Sequence, residues 1–241
     1  GIYAYLETSG GGLGDTAGLI TPWINMGALV NPELRFKYHM FGATMGSLEV
    51  YVDDGNGWTF IDSIQGQQHL TEDACWLPAY FSLSSYVNDT IKIKFVGVRG
   101  SSFTGDLSID EIEVDEALNC PIPLNLSWIS STTNTATLTF DFVSAATSGY
   151  KVYVGAPGFS PSSVTPQLFT NDTVTLTGLS PATTYEAYVE SDCGANGTSG
   201  TLCAITFQTN CVPFNTFYSR DFDSDNDGDV AQCWTQYNSF D

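Results

Sequence analysis

The chain has 241 residues, of which 42% are hydrophobic and 13% aromatic, so one or two domains with ordinary cores can form. Acidic side chains outnumber basic ones 27 to 7, and the formal net charge of -20 repels phosphate backbones and anionic membrane surfaces. This charge argues against nucleic acid as a partner and favours divalent cations, above all calcium.

Taken in chain order, the sequence shows short runs in which every second residue is apolar, and helical periodicity is nearly absent. The runs cover residues 34–40, 48–52, 91–95, 136–142, 150–154 and 185–189, and clusters of Gly, Asn, Asp, Ser and Pro lie between them. Residues 53–57, Asp-Asp-Gly-Asn-Gly, are a strong hairpin-turn signal. The pattern predicts an all-β chain of short antiparallel strands.

One apolar run changes phase partway along. Leu107 and Ile109 alternate with polar residues, but the next apolar residue is Ile112, so the phase slips by one residue at Asp110-Glu111. Such a slip predicts a β-bulge, which would re-aim an acidic side chain.

Two similar segments divide the chain. Residues 119–123 read Asn-Cys-Pro-Ile-Pro and residues 210–214 read Asn-Cys-Val-Pro-Phe, and each follows a strand-like run. Because the residue before a proline favours extended backbone, we interpret both segments as linkers between modules. The predicted domains are residues 1–118, 119–210 and 211–241.

Four stretches of the first segment carry a family resemblance: residues 1–7, 19–22, 34–48 and 105–112. In this order they resemble the MAM domain, a jelly-roll-like sandwich of extracellular receptors, proteases and bacterial surface proteins. The family normally begins earlier, with a strand and a Cys-x-Trp element that do not precede Gly1, so the resemblance implies a module lacking its first strand. Residues 222–236 resemble that opening, which implies that 211–241 begin a second MAM module and that the sequence is an excised piece of an alternating array.

The middle segment has a different pattern. Residues 178–185 end in Tyr185, and residues 150–154 form an alternating run. Together they resemble a fibronectin type III domain, in which a tyrosine hydroxyl bonds back to the backbone before strand F. The tryptophan usual on strand B of that family is replaced by Phe140 or Phe142. The predicted fold is therefore all-β with tandem β-sandwiches, and no Arg-Gly-Asp motif supports integrin-type recognition.

The cysteines are even in number and lie beside turns and segment ends rather than in CxxC pairs: Cys75, Cys120, Cys193, Cys203, Cys211 and Cys233. This favours disulfides and an extracellular or cell-surface location over zinc; the alternative is six buried free thiols. No apolar run reaches the roughly 18 residues of a membrane span. The MAM resemblance implies the pairs Cys211–Cys233 and Cys75–Cys120, and the remaining Cys193 and Cys203 would clamp the loop between them.

Two groups of carboxylates are candidate calcium ligands. The first is an alternating series with a glycine, Asp223, Asp225, Asp227 and Asp229, which presents hard oxygen ligands; it lacks the glutamate of an EF-hand, and the alternative is a solvated acidic turn. The second is implied by the MAM resemblance and consists of Glu7, Asp106 and Asp110, brought inward by the predicted bulge. Its alternative is a set of exposed edge acids.

Catalytic motifs are absent from the sequence, so we expect no enzyme. The two histidines, His39 and His69, stand in different segments, although abundant carboxylates leave a glycosidase pair open. Trp58, Trp76 and Tyr80 are candidates for stacking on sugar rings, with packing as the alternative.

Four triplets resemble the O-glycosylation signal of Bacteroidota secretory proteins, and their hydroxyl residues are Thr16, Ser63, Thr90 and Thr173. Asn-x-Ser/Thr sequons, which matter in a eukaryotic source, begin at Asn88, Asn125, Asn171 and Asn196. Both signals favour an extracellular surface.

These features together predict a non-enzymatic repeat segment of a secreted or cell-surface adhesin, stabilised by calcium. It resembles the repeat region of flavobacterial adhesins, including those of gliding motility and type IX secretion. The expected partners are surface glycans, other proteins, or neighbouring copies or modules of the same chain. The alternative function is an accessory carbohydrate- or protein-binding region of a large secreted hydrolase or protease.

Overall fold

The structure, a computed structural model, describes residues 2–6, 10–213 and Cys233. The chain divides into two compact units, Gly1–Leu118 and Asn119–Asp241. Each unit is built from antiparallel strands, as the alternating runs predict.

The described part of the first unit contains nine strands: β1 (Ala4–Leu6), β2 (Thr16–Ile20), β3 (Ile24–Asn25), β4 (Pro32–Phe41), β5 (Ser47–Asp53), β6 (Trp58–Gln65), β7 (Leu77–Ser82), β8 (Thr90–Val98) and β9 (Asp106–Glu116). One sheet has the order β1-β9-β4-β7. The other has the order β2-β8-β5-β6, and the short β3 also pairs with β8. A 3-10 turn, Ser84–Tyr86, follows β7.

The core of the first unit lies between these two sheets. Alternate residues of β4, β5 and β8 are buried, as period-2 strands with one face on a core require. Phe36 of β4 meets Phe95 of β8 edge to face, with ring centroids 5.2 Å apart. The arrangement is a β-sandwich, which confirms the predicted fold class.

The predicted bulge is present in β9. Arg35 pairs with Glu113 and Lys37 pairs with Asp110, so two residues of β9, Glu111 and Ile112, stand opposite one residue of β4. Glu111 has a positive φ of 50°, and its carboxylate lies 2.9 Å from the ammonium of Lys37. The bulge thus turns an acidic side chain onto a lysine.

The second unit has seven strands among its described residues: β10 (Ser127–Ser131), β11 (Ala136–Thr139), β12 (Gly149–Gly155), β13 (Gln167–Phe169), β14 (Thr173–Leu176), β15 (Thr184–Asp192) and β16 (Ile205–Gln208). They form two sheets, β10-β11-β14 and β13-β12-β15-β16, over one apolar core. Two 3-10 turns, Pro161–Ser163 and Gly194–Asn196, lie in the connections.

The predicted corner before β15 is present. The hydroxyl oxygen of Tyr185 accepts a hydrogen bond from the backbone N–H of Ser180 at 2.9 Å. Of the two phenylalanines proposed to replace a core tryptophan, Phe140 is buried against Tyr150, whereas Phe142 is 67% exposed. Phe140 therefore takes the core position.

All six cysteines are in disulfides. Cys211 is bonded to Cys233, as the MAM resemblance implies. The other two predicted pairs are wrong, because Cys120 is bonded to Cys193 with their Cα atoms 5.7 Å apart. The reason is local: the carbonyl of Pro121 accepts a 2.9 Å hydrogen bond from Ser191 Oγ, so this segment lies along the end of β15 and belongs to the second unit. The segment 119–123, interpreted as lying between modules, thus packs on the second unit and falls within the predicted domain of residues 119–210.

The described residues include no helix that is long and apolar enough to cross a membrane. The boundary at residue 211 and the proposed second MAM module stay predictions, since residues 214–232 and 234–241 lie outside the described residues.

Candidate interaction surface

The three aromatic residues predicted to stack on sugars do not lie together. Trp58 begins β6, in the sheet β2-β8-β5-β6. Trp76 immediately precedes β7 and Tyr80 lies within it, in the opposite sheet. Trp58 therefore lies on one surface of the first unit, and Trp76 and Tyr80 lie on another.

Around Trp58, strand register builds a row of side chains across four strands. Ile20 of β2 pairs with Lys94 of β8, and Lys94 pairs with Tyr51 of β5. Tyr51 in turn pairs with Phe60 of β6. Directly paired residues point to the same face of a sheet, and here this is the outer face, since Ile93 and its alternates are buried.

A second row runs beside the first. Lys92 pairs with Asp53, and Asp53 pairs with Trp58. Trp23, just before β3, lies next to Lys92 at the other end of this row. We call the surface formed by the two rows the aromatic face; its members are Ile20, Trp23, Tyr51, Asp53, Trp58, Phe60, Lys92 and Lys94.

Both lysines of the aromatic face lie over rings. The Lys94 ammonium is 4.6 Å from the ring centroid of Tyr51 and 4.5 Å from that of Trp58. The Lys92 ammonium is 4.7 Å from the ring centroid of Trp23. These distances are within the range of cation–π attraction.

The rings remain open to solvent. Trp23 is 51% exposed, Trp58 38% and Phe60 52%, and Ile20 beside them is 52% exposed. Large apolar side chains that gather at one place on a surface mark interaction sites, whereas scattered ones do not. Sequence analysis found Trp58 but missed its neighbours, which come from four separate parts of the chain.

The lysines of the aromatic face differ in their partners from three other basic residues of the chain. Arg35, Lys37 and Lys151 each lie within 4.0 Å of a carboxylate. Among the described residues, neither Lys92 nor Lys94 forms such an ion pair. In a chain with 27 acidic residues, two of the seven cations thus lie against rings instead.

Two carboxylates at the aromatic face, Asp53 and Glu49, accept hydrogen bonds from within the chain. Asp53 Oδ1 accepts hydrogen bonds from the N–H groups of Gly55 and Gly57 in the hairpin turn. The Tyr51 hydroxyl donates to Glu49, and this hydrogen bond is the main reason that the pKa of Tyr51 is raised.

Tyr80 lies on the other sheet. It pairs with Arg35, whose guanidinium lies 3.2 Å from Glu113 and 3.6 Å from Asp115. Tyr80 is half-buried, and burial raises its pKa. Trp76 packs edge to face with Tyr3 at 5.2 Å between ring centroids.

The two histidines meet in space, which their sequence positions do not reveal. The rings of His39 and His69 stack with centroids 4.1 Å apart. His69 is buried; its Nδ1 accepts from the N–H of Met40 at 2.9 Å, and its Nε2 lies 3.1 Å from the carbonyl of Cys75. Burial, followed by the nearby His39, lowers the pKa of His69. Both nitrogens of His69 are therefore engaged in holding this loop on β4.

The predicted calcium ligands are not brought together among the described residues. Asp106 and Asp110 both precede the bulge, on the face of β9 opposite to the buried Leu107 and Ile109. Four residues of extended strand separate them by about 13 Å, too far to share one cation. The described part of the chain contains no group of three or more His, Cys, Asp or Glu placed to hold a metal. Glu7 and the aspartates at 223, 225, 227 and 229 lie outside the described residues.

The glycosylation candidates have different accessibility. Thr16, Thr90 and Thr173 are exposed first residues of strands, whereas Ser63 is partly buried within β6. The four sequon asparagines, Asn88, Asn125, Asn171 and Asn196, are exposed. Both types of attachment stay predictions.

Comparison with known proteins identifies relatives of the first unit. Residues 1–121 match the MAM domain, meprin/A5/mu. The chain is 33% identical over 122 residues to MAM domain-containing glycosylphosphatidylinositol anchor protein 1 of Rattus norvegicus, covering 50% of this chain and 12% of that protein. It is 35% identical over 116 residues to Thyroid hormone-induced protein B of Xenopus laevis, covering 46% and 16%. The chain thus spans a small part of these relatives, which are animal proteins rather than bacterial adhesins.

Solved structures resemble the chain more distantly. The fn3 domain of human contactin 1 is 15% identical with a TM-score of 0.36, covering 40% of this chain and 83% of that one. The fn3 domain of human collagen alpha-1(XX) chain is 24% identical with a TM-score of 0.32, covering 41% and 92%.

Proposed function

Since residues 1–121 make this chain a member of the MAM domain family, we propose that it is a non-enzymatic adhesion segment of a secreted or cell-surface protein. MAM and fibronectin type III-like domains are typical extracellular interaction modules. The observation that carries the proposal is the aromatic face, an exposed group of rings and lysines on the family domain.

A role without catalysis has support in the two histidines. Both nitrogens of His69 are hydrogen-bonded, and its ring is stacked on His39. A general base needs a free nitrogen within reach of a substrate proton. His69 therefore fits a packing role. His39 Nε2 has no hydrogen-bond partner among the described residues, but it is buried and out of a substrate's reach.

The bacterial part of the proposal rests on sequence signals. The Asp-Ser/Thr-aliphatic triplets resemble a Bacteroidota signal, and three of their four hydroxyl residues are exposed. A repeat segment of a flavobacterial adhesin, including one used in gliding motility after type IX secretion, would carry such triplets. Calcium held by residues 223–229 would stiffen this segment.

A second candidate is an accessory module of a large secreted hydrolase or protease. The aromatic face favours it as well, since exposed tryptophans suit carbohydrate or protein ligands. In both cases the first unit binds, and the candidates differ in whether catalytic modules share the chain.

Adhesion is tested by coating beads with the purified chain and measuring their attachment to surfaces bearing glycans or extracellular proteins. The control is the Trp58→Ala/Phe60→Ala double variant, checked for folding by circular dichroism. We expect wild-type beads to attach and variant beads to detach under flow. Equal attachment of wild-type and uncoated beads would contradict the proposed function. Repeating the assay in chelator tests the calcium component separately.

A further inference from the structure

We infer that the aromatic face binds a glycan of low charge density that carries carboxylated sugars. This inference rests on the proposed extracellular binding function and names its ligand class. It is argued from the rows of side chains, the partners of the lysines and the net charge of the chain.

The rows provide a platform for flat, partly apolar rings. Tyr51 and Phe60 pair across strands with ring centroids 5.5 Å apart, and Trp58 lies in the adjacent row. The faces of aromatic rings carry partial negative charge, which attracts the weakly positive C–H groups of a sugar face. Exposed rings on a rigid sheet also bind without the cost of ordering a loop.

The lysines supply charged hydrogen-bond donors at the same place. An ammonium has three N–H donors and no acceptor. In the described residues Lys92 and Lys94 have no carboxylate partner, although ring contacts hold both ammonium groups in position. A carboxylate on the ligand would accept from these positioned donors, and such charge-assisted bonds are about twice as strong as neutral ones.

The net charge limits the density of negative charge on the ligand. A chain with charge -20 repels a polyanion through its long-range field. That field is screened beyond a Debye length of about 8 Å at physiological ionic strength. An isolated carboxylate therefore senses mainly the groups of the aromatic face, which are the two lysines and Asp53, whose Oδ1 already accepts hydrogen bonds from the hairpin turn. A second copy of this chain would bring another 20 negative charges, which disfavours self-association as the role of this surface.

The test compares an oligosaccharide containing one uronic-acid residue with the same oligosaccharide after reduction of its carboxyl group. Binding to immobilised chain is measured for wild type, Lys94→Gln, Phe60→Ala and Lys37→Gln. Lys37 is the matched control, because it is a lysine of the same unit on the other sheet. Melting curves establish that each variant is folded.

The expected result is that Lys94→Gln weakens binding of the carboxylated sugar about tenfold and leaves the reduced sugar unaffected. Phe60→Ala should weaken both, and Lys37→Gln neither. Equal binding of the two sugars, or equal losses in Lys94→Gln and Lys37→Gln, would overturn the inference. Self-association of the chain that Lys94→Gln abolishes would overturn it in favour of a second copy. Bead attachment without binding of either sugar would overturn the glycan inference while leaving the proposed adhesion intact.

Discussion

The outer faces of the two sheets in the first unit use the scarce basic residues in opposite ways. On the sheet of β4 and β9, Arg35 and Lys37 lie against carboxylates of the same strand pair. On the sheet of β5 and β8, Lys92 and Lys94 lie against aromatic rings. The first face places its cations beside carboxylates, and the second places its cations over aromatic rings. One fold thus carries a surface of ion pairs and a surface that we propose binds a ligand.

The largest loss of stability is expected from Phe36→Ala, which affects the sheets that carry both faces. Phe36 lies between the two sheets and contacts Phe95 and Phe81. Loss of a buried ring and the resulting cavity should lower the free energy of unfolding by about 3–5 kcal/mol. Urea unfolding followed by fluorescence measures this. The exposed Thr59→Ala serves as control, and a loss for Phe36→Ala no larger than the control's would contradict the two-sheet core.

The next largest loss of stability is expected on the ion-paired face of β4 and β9. Arg35→Ala removes a largely buried cation that faces Glu33, Glu113 and Asp115. Burial raises the pKa of Glu33, which means that its negative charge is already unfavourable. Without Arg35 this buried carboxylate has no cation beside it, so we expect the free energy of unfolding to fall by about 2–3 kcal/mol. Lys37→Ala, at an exposed pair, should cost less than about 1 kcal/mol. Equal losses in the two variants, measured by urea unfolding, would show that the Arg35 network adds nothing.

A third effect concerns pH. Burial lowers the pKa of His69 below its ordinary value of 6.5, so neutral His69 contributes stability above that pH. This contribution is lost as the pH falls through the lowered pKa of the folded state, because protonated Nδ1 no longer accepts from Met40. Melting temperature should therefore fall as the pH drops below about 6.5, because the unfolded chain binds the proton more readily than the folded one, and His69→Gln should flatten that slope. A variant with the wild-type slope would assign the pH dependence to other groups.

The smallest effect is expected on the aromatic face. Lys94→Met removes the ammonium but keeps much of the side chain over Tyr51 and Trp58. We expect the free energy of unfolding to change by no more than about 1 kcal/mol. Chemical unfolding checks this, and a loss matching that of Arg35→Ala would erase the distinction between the two faces.

Local sequence pattern predicted the strands and the bulge at Glu111, because each depends on neighbours within a few residues. The Tyr185 corner was implied by the resemblance to the fibronectin type III family. Local pattern did not distinguish Phe140 from Phe142, because alternation alone predicts that both side chains point inward. Strand β11 ends at Thr139, so the alternation does not continue as far as Phe142. The pairing of Cys120 with Cys193 was missed because the family pattern describes only the first unit.

The aromatic face was found only in part. The first row of this face joins residues 20, 94, 51 and 60, which lie far apart in the sequence. Which residues of distant strands stand opposite each other is set by the pairing of the strands in the folded sheet, so the sequence alone does not reveal the row. Trp58 is conspicuous in the sequence, but the lysines over the rings become visible only when β8 is placed between β2 and β5.

The bridge between Cys120 and Cys193 determines how the second unit would respond to mechanical tension along the chain. It joins the chain before β10 to the residue after β15, so these strands lie within a covalently closed loop. The bridged positions are 73 residues apart, so about 250 Å of contour length cannot be released by pulling while the bond is intact. The strands within this loop can therefore lose their packing under load while the distance between residues 120 and 193 stays fixed.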